Sequence, residues 1–128
     1  MPFLLDTNNL VRLRDGDPIV SAKVADLVGA VLMSIVSRVK LEGGVYREPA
    51  HVQLRRDRLD VMLEAIPSVA FDGEFADAYA TILAAAGYSR RKLLDPMIAA
   101  QAIVHRATLV TMNAPDFADV PGVETLVW

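Results

Sequence analysis

"FLLDTNNLVRLRDGDP", residues 3–18, opens with an apolar run that stops at an aspartate, Asp6. The run is apolar at every position, not at every second one, so it reads as a strand buried on both faces. The residues behind it, "NNLVRLRDGDP" at 8–18, carry helical spacing and break at Asp15-Gly16-Asp17-Pro18, a helix end followed by a restart. A buried strand followed by a helix is an order of elements met again further along the chain.

Outward from that stretch, "PIVSAKVADLVG" at 18–29 predicts an amphipathic helix closed by Gly29. "AVLMSIV" at 30–36 predicts a second buried strand, with Ser37 capping the helix that follows. That helix starts in "RVKLEGGVYR" at 38–47, and another runs from Pro49 to about Ile66. "SVAFD" at 68–72 predicts a third strand, and Asp72 caps a helix that Gly87 ends. "DPMIAAQAIVHRA" at 95–107 predicts a helix opened by Asp95, with Pro96 in its first turn. "TLVTMN" at 108–113 and "VETLVW" at 123–128 complete the set of strands. Strands that alternate with helices and are apolar throughout specify a parallel sheet covered on both faces, an α/β/α arrangement.

The totals agree with one domain over residues 1–128, large enough to bury a core. Hydrophobic residues make up 53% and charged residues 23%, which excludes a disordered chain. "LVGAVLMSIV" at 27–36 is about half the length of a membrane span, and "MPFLLDTNN" lacks the basic run of a secretory signal. With no cysteine there is neither disulfide nor thiolate chemistry, and a cytoplasmic location is expected. The net charge of −3 gives no global attraction to nucleic acid. Two basic clusters stand out locally: Arg47, His51, Arg55, Arg56 and Arg58, and then Arg90, Arg91 and Lys92. Each is read either as a solvated helix face or as a phosphate-binding surface.

In a parallel sheet, sites form beyond the carboxyl ends of the strands. Asp6 ends the first strand, Asp95 opens a helix, and Asn113 and Asp116 follow the fourth strand. Singly, each aspartate reads equally well as a helix cap or a turn residue. Together at one rim they would repel one another, and a hard cation such as magnesium or manganese relieves that repulsion. His51 and His105 have no partner at metal-ligand spacing, and Gly43-Gly44 lacks the lysine of a phosphate loop and instead allows close helix packing.

"LLDTNNL" at 4–10, "SIVSRVKLEGGV" at 34–45, "LLDPMIAAQAI" at 93–103 and "ATLVTMNAPDFADVPGVETLVW" at 107–128 together resemble the PIN-domain family. Within it they look most like the VapC-type toxins of bacterial toxin–antitoxin pairs. The resemblance implies a three-layer α/β/α domain with a central parallel sheet, acting as a Mg²⁺- or Mn²⁺-dependent ribonuclease. It carries the catalytic role onto Asp6, Asp95 and Asp116, the metal onto Asp6 and Asp95, and pocket support onto Thr7, Thr111 and Asn113. It also implies an RNA substrate, a homodimer and a small antitoxin partner. Phosphate contacts are expected from Arg47, Arg55, Arg56 and Arg58, and the antitoxin groove from the helices between 17 and 66.

One position departs from the pattern. The family's second motif has glutamate where this chain has Lys40, followed as usual by Leu41. Glu42 is no substitute, because residues two apart on a helix point roughly 200° apart. The resemblance therefore implies either a ribonuclease weakened by Lys40 or an inactive PIN domain that binds RNA or its antitoxin without cutting.

Overall fold

The computed structural model describes residues 1–90 and 92–128; Arg91, part of the second basic cluster, lies outside the described residues. Strands β1 (Phe3–Leu5), β2 (Val31–Ser34), β3 (Ser68–Val69), β4 (Thr108–Thr111) and β5 (Thr125–Val127) form one sheet in the order β3-β2-β1-β4-β5. Every pairing is parallel. The register sets Leu5 beside Met33 and Val110, so the central strands end together and Asp6 emerges at their common edge.

Helices α1 (Thr7–Arg14), α2 (Pro18–Ala25), α3 (Ile35–Tyr46) and α4 (Val52–Ala65) contribute to one layer. Leu5, Met33 and Val110 pack there against Leu10, Leu41, Val45, Leu59 and Met62. Helices α5 (Gly73–Ala86) and α6 (Leu94–Val104) form the other layer, where Leu4 and Leu109 meet Phe75, Ile82, Ile98 and Ala99. Neighbouring strand residues thus enter opposite cores: Leu4 one and Leu5 the other, Leu109 one and Val110 the other. This is why the strands read as unbroken apolar runs. The α/β/α architecture expected from the sequence is the one observed.

Several boundaries differ from the sequence reading. Helix α2 ends at Ala25, not Gly29: Asp26 caps it, and Leu27 turns inward against the α1–α4 core. Gly29 serves a different purpose, since a Cβ there would stand 2.5 Å from the Met1 carbonyl oxygen. Strand β2 stops at Ser34, and Ser34, not Ser37, caps α3 by accepting the Val36 N–H at 3.1 Å. Asp95 does not cap α6. The helix begins at Leu94 behind Leu93, which offers no side-chain cap, and Asp95 sits inside the first turn. Asp72 does cap α5, accepting the Phe75 N–H at 2.9 Å.

Candidate functional site

Asp6 leaves β1 and caps α1, so its carboxylate is fixed from both sides. One oxygen accepts the Thr7 N–H at 2.8 Å, and the other accepts the Thr111 hydroxyl at 2.9 Å. Thr111 ends β4, and its own oxygen accepts the Asn113 N–H at 3.0 Å. Asn113 then reaches forward, donating from Nδ2 to Asp116 at 2.6 Å. A continuous chain of hydrogen bonds therefore runs from Asp6 through Thr111 and Asn113 to Asp116, which lies on a short 3-10 turn, Ala114–Phe117. Asn113 and Asp116 are near the surface, whereas Asp6 and Thr111 are buried.

Asp95 approaches the same rim from α6. Burial pushes its pKa up from the ordinary carboxylate value, and the charges of Asp116 and then Asp6 push it the same way; Lys40 and Lys92 pull it back. Asp6 is also raised, first by burial, against the Thr111 and Thr7 hydrogen bonds that lower it; Asp116 adds to the rise and Lys40 opposes it. These mutual effects place Asp6, Asp95 and Asp116 in one field, and Lys40 acts on both of the raised carboxylates. Among the described residues, Lys40 forms no ion pair within 4.0 Å. It lines a cavity of about 460 Å³ together with Arg90, Leu93, Leu94 and Asp95.

Lys40 is not compensated from its own helix. Glu42, two residues on, is held by Arg56 at 2.6 Å and approached by Arg38 at 3.8 Å. Arg56 first, and Arg38 after it, keep its pKa below the usual value. Among the described residues, no three Asp, Glu, His or Cys side chains converge closely enough to enclose a metal ion unaided.

The basic residues of α4 turn inward. Arg55 donates to the Gly44 carbonyl at 2.9 Å and pairs with Glu48 at 3.2 Å. Arg56 joins Glu42 to Asp60, and Arg58 donates to the Asp15 carbonyl at 3.0 Å. Arg47, at the end of α3, is exposed. The sequence reading gave Ser37 only as a helix cap and did not single out Asn9. The Ser37 hydroxyl meets that of Thr7 at 2.7 Å, tying α3 to α1 just below Asp6. Asn9 donates to the Val110 carbonyl at 3.0 Å and locks α1 onto β4. Both residues are fully buried; Asn9 lies one helical turn beyond the strand-end Asp6, and Ser37 the same distance beyond Ser34.

A second concavity, about 650 Å³, opens away from the carboxylates between α1, α2 and α4. Leu13, Val24, Val31, Val61, Met62 and Ile66 make it apolar, and Asp57 and Arg58 edge it.

The model of the PIN domain matches residues 3–123. Among solved structures, the chain is similar to one in VapBC2 from Rickettsia felis bound to a DNA fragment from their promoter: 23% identity, 100% of this chain and 99% of that one covered, TM-score 0.85. It is similar to a chain in FitAcB from Neisseria gonorrhoeae at 26% identity, 98% and 96% coverage and TM-score 0.79. A toxin–antitoxin complex from Klebsiella pneumoniae gives 23% identity, 94% coverage of both chains and TM-score 0.76. No curated protein sequence matches significantly.

Proposed function

The chain belongs to the PIN-domain family, and on that premise we propose that it is the toxin of a VapC-type toxin–antitoxin pair, a ribonuclease attenuated by Lys40. The observation that carries the reading is that the charge of Asp116 reaches both Asp6 and Asp95, three carboxylates from separate elements near the strand-end rim. Structural carboxylates are normally paired with cations or engaged as caps. Among the described residues Asp95 is neither, and it sits partly buried within reach of two like charges.

An all-oxygen donor set of mutually repelling, part-desolvated carboxylates fits Mg²⁺ or Mn²⁺ in kind, and Asp6 and Asp95 would hold the ion. Bound there, the cation would polarise a phosphodiester and acidify a coordinated water. Asp116, aimed by Asn113, would orient the attacking water and accept its proton as the bond from phosphorus to the leaving sugar oxygen breaks. The Thr111 and Thr7 hydrogen bonds orient Asp6 and favour its ionised form against the larger effect of burial.

Lys40 works against the ion. At a separation of about 5 Å and an effective dielectric of about 20, a unit charge and a divalent ion interact by roughly 6–7 kcal/mol. Reversing the sign of that interaction costs several kcal/mol even when heavily screened, and each ~1.4 kcal/mol is tenfold in affinity. The same residue favours a second reading, a PIN domain that binds RNA or antitoxin without cutting.

The remaining partners follow from the apolar groove and the family. The groove between α1, α2 and α4 suits the apolar face of a helix, here that of an antitoxin. Exposed Val39, Tyr46 and Leu54, with a mean hydropathy of +0.32, favour a homodimer.

The test compares the protein as given, Lys40→Glu, and Lys40→Glu combined with Asp6→Asn, each with RNA and Mg²⁺ or Mn²⁺. Lys40→Glu is expected to tighten metal binding by at least about a hundredfold and to cleave RNA, and Asp6→Asn to abolish that gain. Equal cleavage by the Lys40 protein and Lys40→Glu at the same metal concentration overturns the attenuation. Absence of cleavage by both supports the non-cutting reading.

A further inference from the structure

We propose that the cavity beside Asp95 is a phosphate-binding subsite for single-stranded RNA, in which Lys40 and Arg90 grip a backbone phosphate next to the carboxylate rim. The inference rests on the reading of the chain as an RNA-directed domain, and it names the groups that take hold of the substrate.

It begins from a comparison of the cations. Arg12 pairs with Asp17, Arg14 with Asp15, Arg38 with Glu42, Arg55 with Glu48, and Arg56 with Glu42 and Asp60. Arg58 donates to a backbone carbonyl, and Lys23 lies over the Trp128 ring. Among the described residues, the other exposed arginines and lysines, Lys40, Arg47, Arg90, Lys92 and Arg106, form no ion pair or side-chain hydrogen bond. Arg47 and Arg106 do not line the cavity, whereas Lys40, Arg90 and Lys92 are gathered at one place. Lys40 and Arg90 line the same cavity of about 460 Å³, and Lys92 lies near enough to act on Asp95.

The geometry sets two cations from opposite sides of the sheet at one opening. Lys40 comes from α3, packed on one face, and Arg90 from the segment between α5 and α6 on the other. Leu93 and Leu94 supply an apolar wall against which a sugar or base can rest. A guanidinium and an ammonium facing a shared space suit a phosphodiester, which offers two anionic oxygens to one forked and one point-like donor. Asp95 lies in the cavity wall and bounds the subsite on the side where the ester would meet the carboxylates. The residue that weakens the cation site thus also strengthens the hold on substrate, and RNA affinity persists without divalent metal.

The experiment measures binding of a short, labelled single-stranded RNA by anisotropy, in EDTA and across a range of salt. The proteins are the chain as given, Arg90→Ala, Arg90→Lys, Lys40→Met, the double variant Lys40→Met/Arg90→Ala, and Arg106→Ala as an exposed cation outside the cavity. Circular dichroism checks that each folds. In parallel, inorganic phosphate is titrated against the ¹⁵N-labelled protein, and the amides of Leu93, Leu94 and Asp95 are followed. Arg90→Ala and Lys40→Met are each expected to weaken RNA binding roughly tenfold. Each should also reduce the slope of log affinity against log salt by about 0.7. Arg90→Lys should keep most of the affinity and Arg106→Ala all of it. Tight RNA binding that ignores Arg90 and Lys40 overturns the subsite and leaves the RNA-directed reading standing. No RNA binding by any protein, with phosphate still moving the Leu93–Asp95 amides, upholds the pocket and overturns the RNA-directed reading. Neither response removes both.

Discussion

Thr111 is the residue on which the site's order most depends, because its hydroxyl donates to Asp6 and accepts from Asn113 within a buried setting. Thr111→Val keeps the shape and removes both bonds, so a loss of about 1–3 kcal/mol in unfolding free energy is expected from urea titration. Because that hydroxyl lowers the Asp6 pKa, the carboxyl should rise further still, readable by NMR titration. Asp95 shows the opposite relation to stability. Its folded-state pKa lies above the ordinary value of 3.8, so the folded protein takes up the proton before the unfolded chain does. Its favourable contribution is complete below the unfolded value and is lost as pH rises through the folded one. Asp95→Asn, neutral at every pH, should therefore melt a few degrees higher than the parent at pH 7.5. The difference should shrink towards zero as pH falls into the ordinary carboxylate range. A lower melting temperature for Asp95→Asn at pH 7.5 would show that its carboxylate has a structural partner.

Helix α3 carries two adjacent glycines with opposite roles. A Cβ on Gly44 would come within 2.6 Å of the Arg14 guanidinium, which is itself only 5% exposed, whereas one on Gly43 would meet nothing within 4 Å. Gly43→Ala should stabilise the protein by about 0.5–1 kcal/mol through helix propensity. Gly44→Ala should destabilise it by about 1–3 kcal/mol as Arg14 is forced aside. Denaturation midpoints of the two variants decide between them. The close packing expected of this pair from sequence thus belongs to Gly44. What could be read in advance at this scale was whatever local pattern determines. The apolar strands, the restart at Pro18 and the Asp72 cap all depend on neighbours in the chain. The inward turn of Leu27, the burial of Arg14 and the contact of Ser37 with Thr7 depend on residues far away in sequence, with no local signature. At the rim, the place of Asp6 was legible because a strand end fixes it, whereas Asp95 sits inside the first turn of α6 and Asp116 on a 3-10 turn. The engagement of Arg55, Arg56 and Arg58 was not, since their acceptors lie on α3, on α4 itself and in the turn after α1.

Across the whole molecule, the apolar groove and the carboxylate rim are separate surfaces, so partner binding and chemistry can be separated by mutation. Val61 lines the groove and is 67% exposed, which makes it a test position with little bearing on the core. Val61→Asp should leave the melting temperature within about 2 °C of the parent and weaken antitoxin binding at least about tenfold, measured by calorimetry. Undiminished binding would move the partner to another face. Among the described residues, no helix is long and apolar enough to cross a membrane. The division of the interior into two cores has a further effect on the rim. Lys40 is carried by the α1–α4 half, and Asp95 by the half built from α5 and α6. Partial opening of the α5–α6 half would carry Asp95 off the edge while Asp6, Thr7 and Ser37 stay in register. Amide exchange in α6 should then proceed through sub-global openings cheaper than complete unfolding, and anything bound across Asp6 and Asp95 should slow it selectively. Such a ligand would act as a clasp between two halves that otherwise breathe independently.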